Sequence, residues 1–289
     1  MTGIEELQLR REVAIEAARA AAEVHLRYRG QQLERDVHAG ERTDYATRVD
    51  LEAQDAVKAA VARHFPDEPV IGEEDHERYG EVEALLQTGC WFTDPLDGTA
   101  DYVHGSPHFS AIVSYVAGGE ALACAIYFPV LDELFSAAKG QGATLNAGRC
   151  RVSRVDKLSG AILATAFRGS DPVRVTNLAT RVQTVLPHIE AIRLPGAPSV
   201  MACAVACGRY DVFTMMGQAL EAPPAGRPFL GQPWETAAFV VLVQEAGGAV
   251  RGLSGGAPDL LGYNVFAPTQ GIIDELDAVM QDVLRPPRA

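Results

Sequence analysis

Two aspartates directly follow an apolar run in the segment Trp91-Phe92-Thr93-Asp94-Pro95-Leu96-Asp97-Gly98-Thr99. Pro95 fixes the backbone between the two carboxylates, and Gly98 permits a tight turn after the second. Such a turn can direct both carboxylates, and the main-chain carbonyl of Leu96, toward one point. Oxygen ligands of this kind suit Mg²⁺, which also takes water and substrate phosphate. Taken alone, the segment fits an Asx turn that caps a helix equally well.

The residues after the second aspartate predict a place for a phosphate group. If a helix begins after Gly98, its free backbone N–H groups and the Thr99 hydroxyl face the same point as the carboxylates. Two histidines, His104 and His108, follow closely. We interpret them as side chains that satisfy a turn rather than as catalytic groups.

Other acidic segments accompany this turn along the chain. They are Ile71-Gly72-Glu73-Glu74, the group Asp44, Thr47 and Asp50 before a helix, and Trp234-Glu235, which begins an apolar helix ending in Glu245-Ala246-Gly247-Gly248. The chain contains no Walker or His-Glu-x-x-His motif. Its Gly-x-Ser-x-Gly segment, at 252–256, is followed by Ala257-Pro258 rather than by a helical pattern, so a mechanism through a covalent intermediate has no comparable candidate.

In this order and spacing, three blocks of the sequence resemble the motifs of the inositol monophosphatase family. They are Gly-Glu-Glu at 72–74, Asp-Pro-Leu-Asp-Gly-Thr at 94–99 and Trp-Glu-Thr-Ala-Ala at 234–238. The family comprises lithium-sensitive, Mg²⁺-dependent phosphatases. The resemblance implies an α+β fold, the layered αβαβα sandwich of the inositol monophosphatase and fructose bisphosphatase type. It also implies hydrolysis of a small phosphate monoester by a metal-activated water.

The resemblance also implies roles for individual residues. Two or three Mg²⁺ ions would be bound by the carboxylates of Glu73, Asp94, Asp97 and Glu235 and the carbonyl of Leu96. Thr99, helped by Asp50 and Thr47, would orient and deprotonate the attacking water. Glu74 would support the metal-bound waters. Backbone N–H groups of Gly98 and Thr99 would bind the phosphate group of the substrate. The alcohol part of the ester would lie against Gly196, Ala197 and Pro198.

Three features depart from the pattern typical of the family. Glu235 stands where members usually carry aspartate, and its extra methylene group alters how the carboxylate approaches a metal. Met215 stands where inositol-specific members carry an acid that holds ring hydroxyls. A proline-rich insertion covers residues 218–233; Glu221 or Arg227 could contact substrate, although a solvated surface loop is the simpler interpretation. These features favour a substrate other than inositol monophosphate.

The sequence leaves several functions open. Phosphoadenosine, histidinol-phosphate and sugar bisphosphate phosphatases use the same metal core. A second phosphate on the substrate would require a basic residue, for which Arg193, Arg209 and Arg227 are the candidates. A regulatory binding protein with weakened catalysis is the alternative from another class, and it is prompted by Glu235 and Met215.

Composition restricts the partners and the location. The 289 residues include 25 Lys and Arg against 38 Asp and Glu, a net charge of −13. Such a field opposes phosphate backbones, so we expect no direct nucleic-acid partner. No apolar run reaches the roughly 20 residues of a membrane span, and the five cysteines show no CxxC spacing. We therefore expect a cytoplasmic protein without a membrane partner, and the family resemblance adds an expected homodimer.

Helical and strand patterns alternate along the chain, which is typical of a layered architecture. Helices are predicted over 4–29, 50–65, 173–186, 199–207 and 235–246. Strands are predicted over 69–72, 89–93, 109–116, 121–128, 133–138, 161–166, 191–194 and 211–215. We predict an N-terminal half, residues 1–155, that carries most metal ligands. The C-terminal half, residues 156–289, would supply Glu235 and the substrate wall.

Overall fold

The computed structural model describes residues 3–33, 36–37, 45–166, 172–216 and 228–284. Asp44 lies outside these ranges, as does the part of the proline-rich insertion that contains Glu221 and Arg227. The described chain begins with helix α1 (Gly3–Tyr28), which is followed by a short antiparallel ribbon of β1 (Asp36–Val37) and β2 (Tyr45–Ala46).

The larger sheet has seven strands within the described residues, and neighbours in the sheet are also neighbours in the chain. They are β3 (Val70–Gly72), β4 (Cys90–Asp97), β5 (Ser110–Ala117), β6 (Glu120–Phe128), β7 (Glu133–Ala138), β8 (Gly142–Leu145) and β9 (Gly148–Cys150). β3 is parallel to β4, and each later strand is antiparallel to the one before it.

The second sheet has five described strands in the order β11-β10-β12-β14-β13. They are β10 (Ile162–Ala164), β11 (Ala191–Arg193), β12 (Val212–Thr214), β13 (Ala249–Gly252) and β14 (Asn264–Ala267). β10 is parallel to both β11 and β12, whereas β14 is antiparallel to its two neighbours.

The remaining helices cover the faces of these sheets. They are α2 (Arg48–Ala62), α3 (Val82–Thr88), α4 (Thr99–Val103), α5 (Pro172–Val185), α6 (Pro198–Ala206), α7 (Pro233–Glu245) and α8 (Gln270–Leu284). Among the helices that the structure describes, none combines the length and apolarity that crossing a membrane requires.

Three hydrophobic cores define the layers. α1 and α2 pack on one face of the larger sheet, where Trp91 lies. The next residue, Phe92, points to the opposite face, because successive side chains of a strand alternate. There α3, α6 and α7 fill the space between the two sheets, and Phe213 of the second sheet contributes to the same core. Val212 belongs to the third core, which α5 and α8 cover.

This order of layers is the predicted α+β sandwich of the αβαβα type, and the prediction of the fold is confirmed. α7 is buried along nearly its whole length because it lies between two sheets. The predicted boundary at residue 155 falls between β9 and β10, while the middle core includes residues from both sides of it. The division of the chain into two domains stays a prediction.

Candidate active site

Asp94 and Asp97 lie at the end of β4, which is buried throughout. Asp94 pairs with Ile112 of β5, and the register then shifts before Asp97 pairs with Ser110. Pro95 explains the shift, since a proline cannot donate to the ladder of backbone hydrogen bonds. The Leu96 backbone N–H donates to Asp94 Oδ1 at 3.0 Å. The turn therefore orients the first carboxylate itself.

Three buried carboxylates meet at this turn. One oxygen each of Asp94, Asp97 and Glu235 lies within 4.8 Å of the other two. Glu235 reaches the turn from the first turn of α7, which lies between the two sheets. Buried acids this close repel one another unless cations compensate them, and hard oxygen donors are the ligands that Mg²⁺ prefers. The donor set of this site therefore fits Mg²⁺.

The start of α6 contributes to the position of Asp97. The backbone N–H of Ser199 donates to Asp97 Oδ2 at 2.9 Å, and the Ser199 hydroxyl accepts from Ser110 of β5. Each of these groups is buried. The first turn of α6 is therefore fixed against the carboxylate turn.

Glu73 and Glu74 follow β3 and are half-buried. The Glu73 backbone N–H donates to the Thr93 carbonyl on β4, and its side chain accepts from Gln232 Nε2 at 3.2 Å. Gln232 precedes α7, the helix that carries Glu235. Glu73 is not part of the group of three carboxylates, but it is connected to both elements that supply that group.

Thr99, Asp50 and Thr47 form a continuous polar connection at the start of α2 and α4. Asp50 Oδ2 accepts from the Thr47 backbone N–H and hydroxyl, each at 2.7 Å, as in a capping box. Asp50 Oδ1 lies 3.1 Å from the Thr99 hydroxyl, which also lies 3.0 Å from the Leu96 carbonyl. Burial raises the pKa of Asp50 to about 6, although the hydrogen bonds from Thr47 act in the opposite direction.

Gly98 connects the carboxylate turn to α4 in a left-handed conformation, with φ of 86°. A Cβ atom there would lie 2.8 Å from the His108 carbonyl oxygen and 3.1 Å from the Cβ of Ala197. Glycine is therefore required both by the backbone and by the close approach of two neighbouring segments. The predicted substrate residues Gly196, Ala197 and Pro198 thus lie beside the predicted phosphate-binding turn.

The structure also shows the contacts or burial of three residues discussed from the sequence, which are His104, Arg209 and Met215. His104 donates from Nδ1 to the Ala100 carbonyl at 2.7 Å, which is the turn-satisfying role expected of it. Arg209 forms two hydrogen bonds with Glu133 at 2.6 and 2.7 Å, so an acid already engages this candidate for a second phosphate. Met215 follows β12 and is half-buried.

His25 of α1 is a buried contact of the carboxylate turn that sequence reasoning did not identify. Its Nε2–H donates to the Pro95 carbonyl at 2.7 Å, and the Tyr102 hydroxyl donates to the His25 carbonyl. Burial lowers the pKa of His25 to about 4, against the effect of the hydrogen bond to Pro95. The ring is therefore neutral at physiological pH and holds the turn from the α1 side.

Asp75 is a second contact that sequence reasoning missed, although it directly follows Glu73-Glu74. Asp75 accepts from the Gly72 backbone N–H, from Gln54 Nε2 and from Lys58 Nζ. These three partners belong to β3 and α2, so the carboxylate fixes the turn that carries the two glutamates.

The buried imidazole predicts an acid-dependent loss of stability. Between pH 6.5 and about 4 the unfolded chain binds a proton at His25 that the folded chain does not. The free energy of unfolding therefore falls as pH falls through this window, by up to roughly 3 kcal/mol from this residue. His25→Gln keeps an N–H donor near Pro95 without the titration. Urea unfolding at pH 7 and pH 4.5 should show a smaller loss for the variant, and equal losses would contradict the prediction.

Comparisons of the sequence and of the structure with known proteins identify the same family. The model of the inositol monophosphatase family matches residues 6–283. Inositol monophosphatase 1 of Solanum lycopersicum is 31% identical over 256 residues, which cover 88% of each chain. The Nus factor SuhB of Pseudomonas aeruginosa is 34% identical over 251 residues, which cover 84% of this chain and 85% of the relative. A solved Thermotoga maritima IMPase has a TM-score of 0.77 at 27% identity, covering 94% of this chain and 97% of that one.

Proposed function

The chain belongs to the inositol monophosphatase family, and we propose that it hydrolyses small phosphate monoesters in a reaction that depends on Mg²⁺. The observation that carries this proposal is the convergence of three buried carboxylates beside the Thr99–Asp50 pair. A cluster of buried acids is costly for stability unless a bound cation compensates it. The Thr99 hydroxyl, which lies beside the three carboxylates, can orient a water molecule at the same site.

The proposed Mg²⁺ ligands come from β4, from the residues after β3 and from the first turn of α7. They are Glu73, Asp94, the Leu96 carbonyl, Asp97 and Glu235, which would hold two or three ions. When bound, Mg²⁺ neutralises the phosphate dianion and lowers the pKa of water near it. Glu235 reaches the cluster with a side chain one methylene group longer than the aspartate typical of the family.

The proposed proton path runs through Thr99 and Asp50. While the Thr99 hydroxyl donates a hydrogen bond to Asp50 Oδ1, a lone pair of Thr99 Oγ1 can orient the attacking water. As the water attacks, its proton would pass to Thr99 Oγ1 and the original hydroxyl proton of Thr99 would pass to Asp50. Thr47 keeps Asp50 in position because both of its donors bind the other carboxylate oxygen. We assign Glu74, the neighbour of the proposed ligand Glu73, a supporting role toward metal-bound water.

The substrate is proposed to lie between α4 and the segment before α6. Backbone N–H groups of Gly98 and Thr99 would bind the phosphate, and Gly196, Ala197 and Pro198 would contact the alcohol. Met215 accepts hydrogen bonds poorly, so a hydroxyl-rich ring gains little there. This argues for a monoester other than inositol monophosphate.

Release of inorganic phosphate from a panel of esters tests the proposal. The panel contains inositol monophosphate, histidinol phosphate, fructose bisphosphate and phosphoadenosine phosphate. We expect turnover of at least one ester that requires Mg²⁺, stops on chelation with EDTA and resumes when Mg²⁺ is restored. Turnover that persists in EDTA would contradict the metal-dependent mechanism.

A regulatory binding protein is the second candidate function. The Nus factor relative, at 34% identity, supports it, as do the two departures Glu235 and Met215. This candidate would be preferred if folded protein, verified by cooperative unfolding, released no phosphate from any ester of the panel at saturating Mg²⁺.

We also propose a homodimer, a cytoplasmic location and the absence of direct nucleic-acid binding. The net charge of −13 supports the last of these, because the protein's field repels phosphate backbones. The homodimer is proposed from the family resemblance.

A further inference from the structure

Asp101 of α4 lies against the segment that precedes α6. A Cβ atom placed on Gly196 would lie only 2.1 Å from Asp101 Oδ2, so the carboxylate occupies the space beside this glycine. Asp101 is half-buried and Gly196 is exposed. The carboxylate therefore packs against this glycine and remains partly accessible to solvent.

The contacts along this seam follow an order from the buried carboxylates to the surface. Ser199 donates to Asp97 in the interior, and Ala197 approaches Gly98 at the proposed phosphate position. Gly196 and Asp101 come next, at the exposed end. If the phosphate lies at Gly98, the alcohol part of an ester extends toward Asp101.

The charge of Asp101 has no partner of opposite sign in the part of the chain that the structure describes. Its carboxylate forms no ion pair there. A negative charge beside a doubly charged phosphate ester raises the energy of the complex through Coulomb repulsion. A positive charge on the substrate itself would reverse the sign of this contribution.

We propose that Asp101 is a specificity-determining residue that favours phosphate monoesters whose alcohol carries a cationic nitrogen. The inference rests on the proposed phosphatase function and assigns the class of substrate. An ammonium or imidazolium group joined to the ester oxygen by a short carbon chain would pair with Asp101 while the phosphate occupies the Gly98 turn. A substrate with a second phosphate at this place would be disfavoured.

A matched pair of esters tests the inference. Aminopropyl phosphate and hydroxypropyl phosphate differ only in the terminal group, and kcat/KM is measured for both with Mg²⁺. We expect wild-type protein to prefer the amino ester and Asp101→Asn to lose about fivefold of that preference, the scale of a partly exposed ion pair. Raising the salt concentration should reduce the wild-type preference, since ions screen an accessible pair.

Glu83→Gln serves as the control, because it removes the same charge from an exposed position on α3. It should leave the ratio of the two kcat/KM values unchanged. If both esters are hydrolysed and Asp101→Asn leaves the ratio at its wild-type value, Asp101 does not select the substrate and the inference is wrong, although the phosphatase function stands. If neither these esters nor the wider panel are hydrolysed, the proposed function fails and the inference fails with it.

Discussion

Phosphate release is expected to fall by about a thousandfold or more when Asp94 is replaced by asparagine. The substitution keeps the size of the side chain but removes one of three negative charges that lie within 4.8 Å of one another. A bound metal ion contributes several kcal/mol to stabilisation of the transition state, and about 4 kcal/mol corresponds to a thousandfold change in rate. The measurement is kcat/KM at saturating Mg²⁺ on the best ester of the panel.

The stability of this variant provides the control for misfolding. In EDTA, Asp94→Asn should unfold at the same temperature as wild-type protein or higher, because one source of repulsion between buried acids is gone. Mg²⁺ should raise the unfolding temperature of wild-type protein more than that of the variant. Asp67→Asn, at an exposed site, should behave as wild type in both assays. An Asp94→Asn protein that keeps a tenth of the wild-type activity would contradict the role proposed for this carboxylate.

The parts of the site that the sequence predicts are those fixed over short distances. Asp94, Asp97 and Gly98 belong to one turn whose geometry follows from a proline and a glycine in fixed positions. The phosphate-binding interpretation required a helix to begin after Gly98, and α4 begins there. Glu235 is far away in the chain, and its assignment depended on the family resemblance rather than on local pattern.

Contacts that support this turn from distant elements escaped prediction for a physical reason. His25 is 70 residues from its hydrogen-bond partner Pro95, and Ser199 is 102 residues from Asp97. Each partner is a backbone group or a carboxylate that packing brings close, so no local pattern marks the pair. A histidine among the alanines of α1 is equally compatible with a surface position.

The helices and strands of the fold were also predicted from the sequence only in part. The long helices α1 and α7 and the strands β4 to β7 have strong periodic or apolar patterns, and the structure contains all of them. β8 and β9 were not predicted, because they are short and their turn includes Asn146 and Ala147 at positive φ. α8 was also missed, although the spacing of its buried residues Ile272, Ile273, Leu276 and Met280 is sufficient to indicate a helix.

Thr99→Val should lower kcat on a monoester by about a hundredfold or more. Valine has nearly the shape of threonine, so the variant removes the hydroxyl that lies between Asp50 and Leu96 without opening a cavity. Positioned proton transfer contributes about 10² to 10⁴ in rate. Because the hydroxyl is proposed to act on the attacking water rather than on the bound ester, KM should change much less than kcat.

Thr99→Ser separates the role of the hydroxyl from that of packing, since it keeps the oxygen and removes only a methyl group. We expect the serine variant to stay within about tenfold of wild-type kcat, well above the valine variant. If Thr99 served only to begin α4, serine and valine would differ in stability rather than in kcat, because β-branched valine loses more side-chain freedom in a helix than serine. Equal kcat values for the two variants would therefore exclude the proposed proton path from Thr99 to Asp50. A large difference in kcat at similar unfolding temperatures would place the hydroxyl in the chemical step.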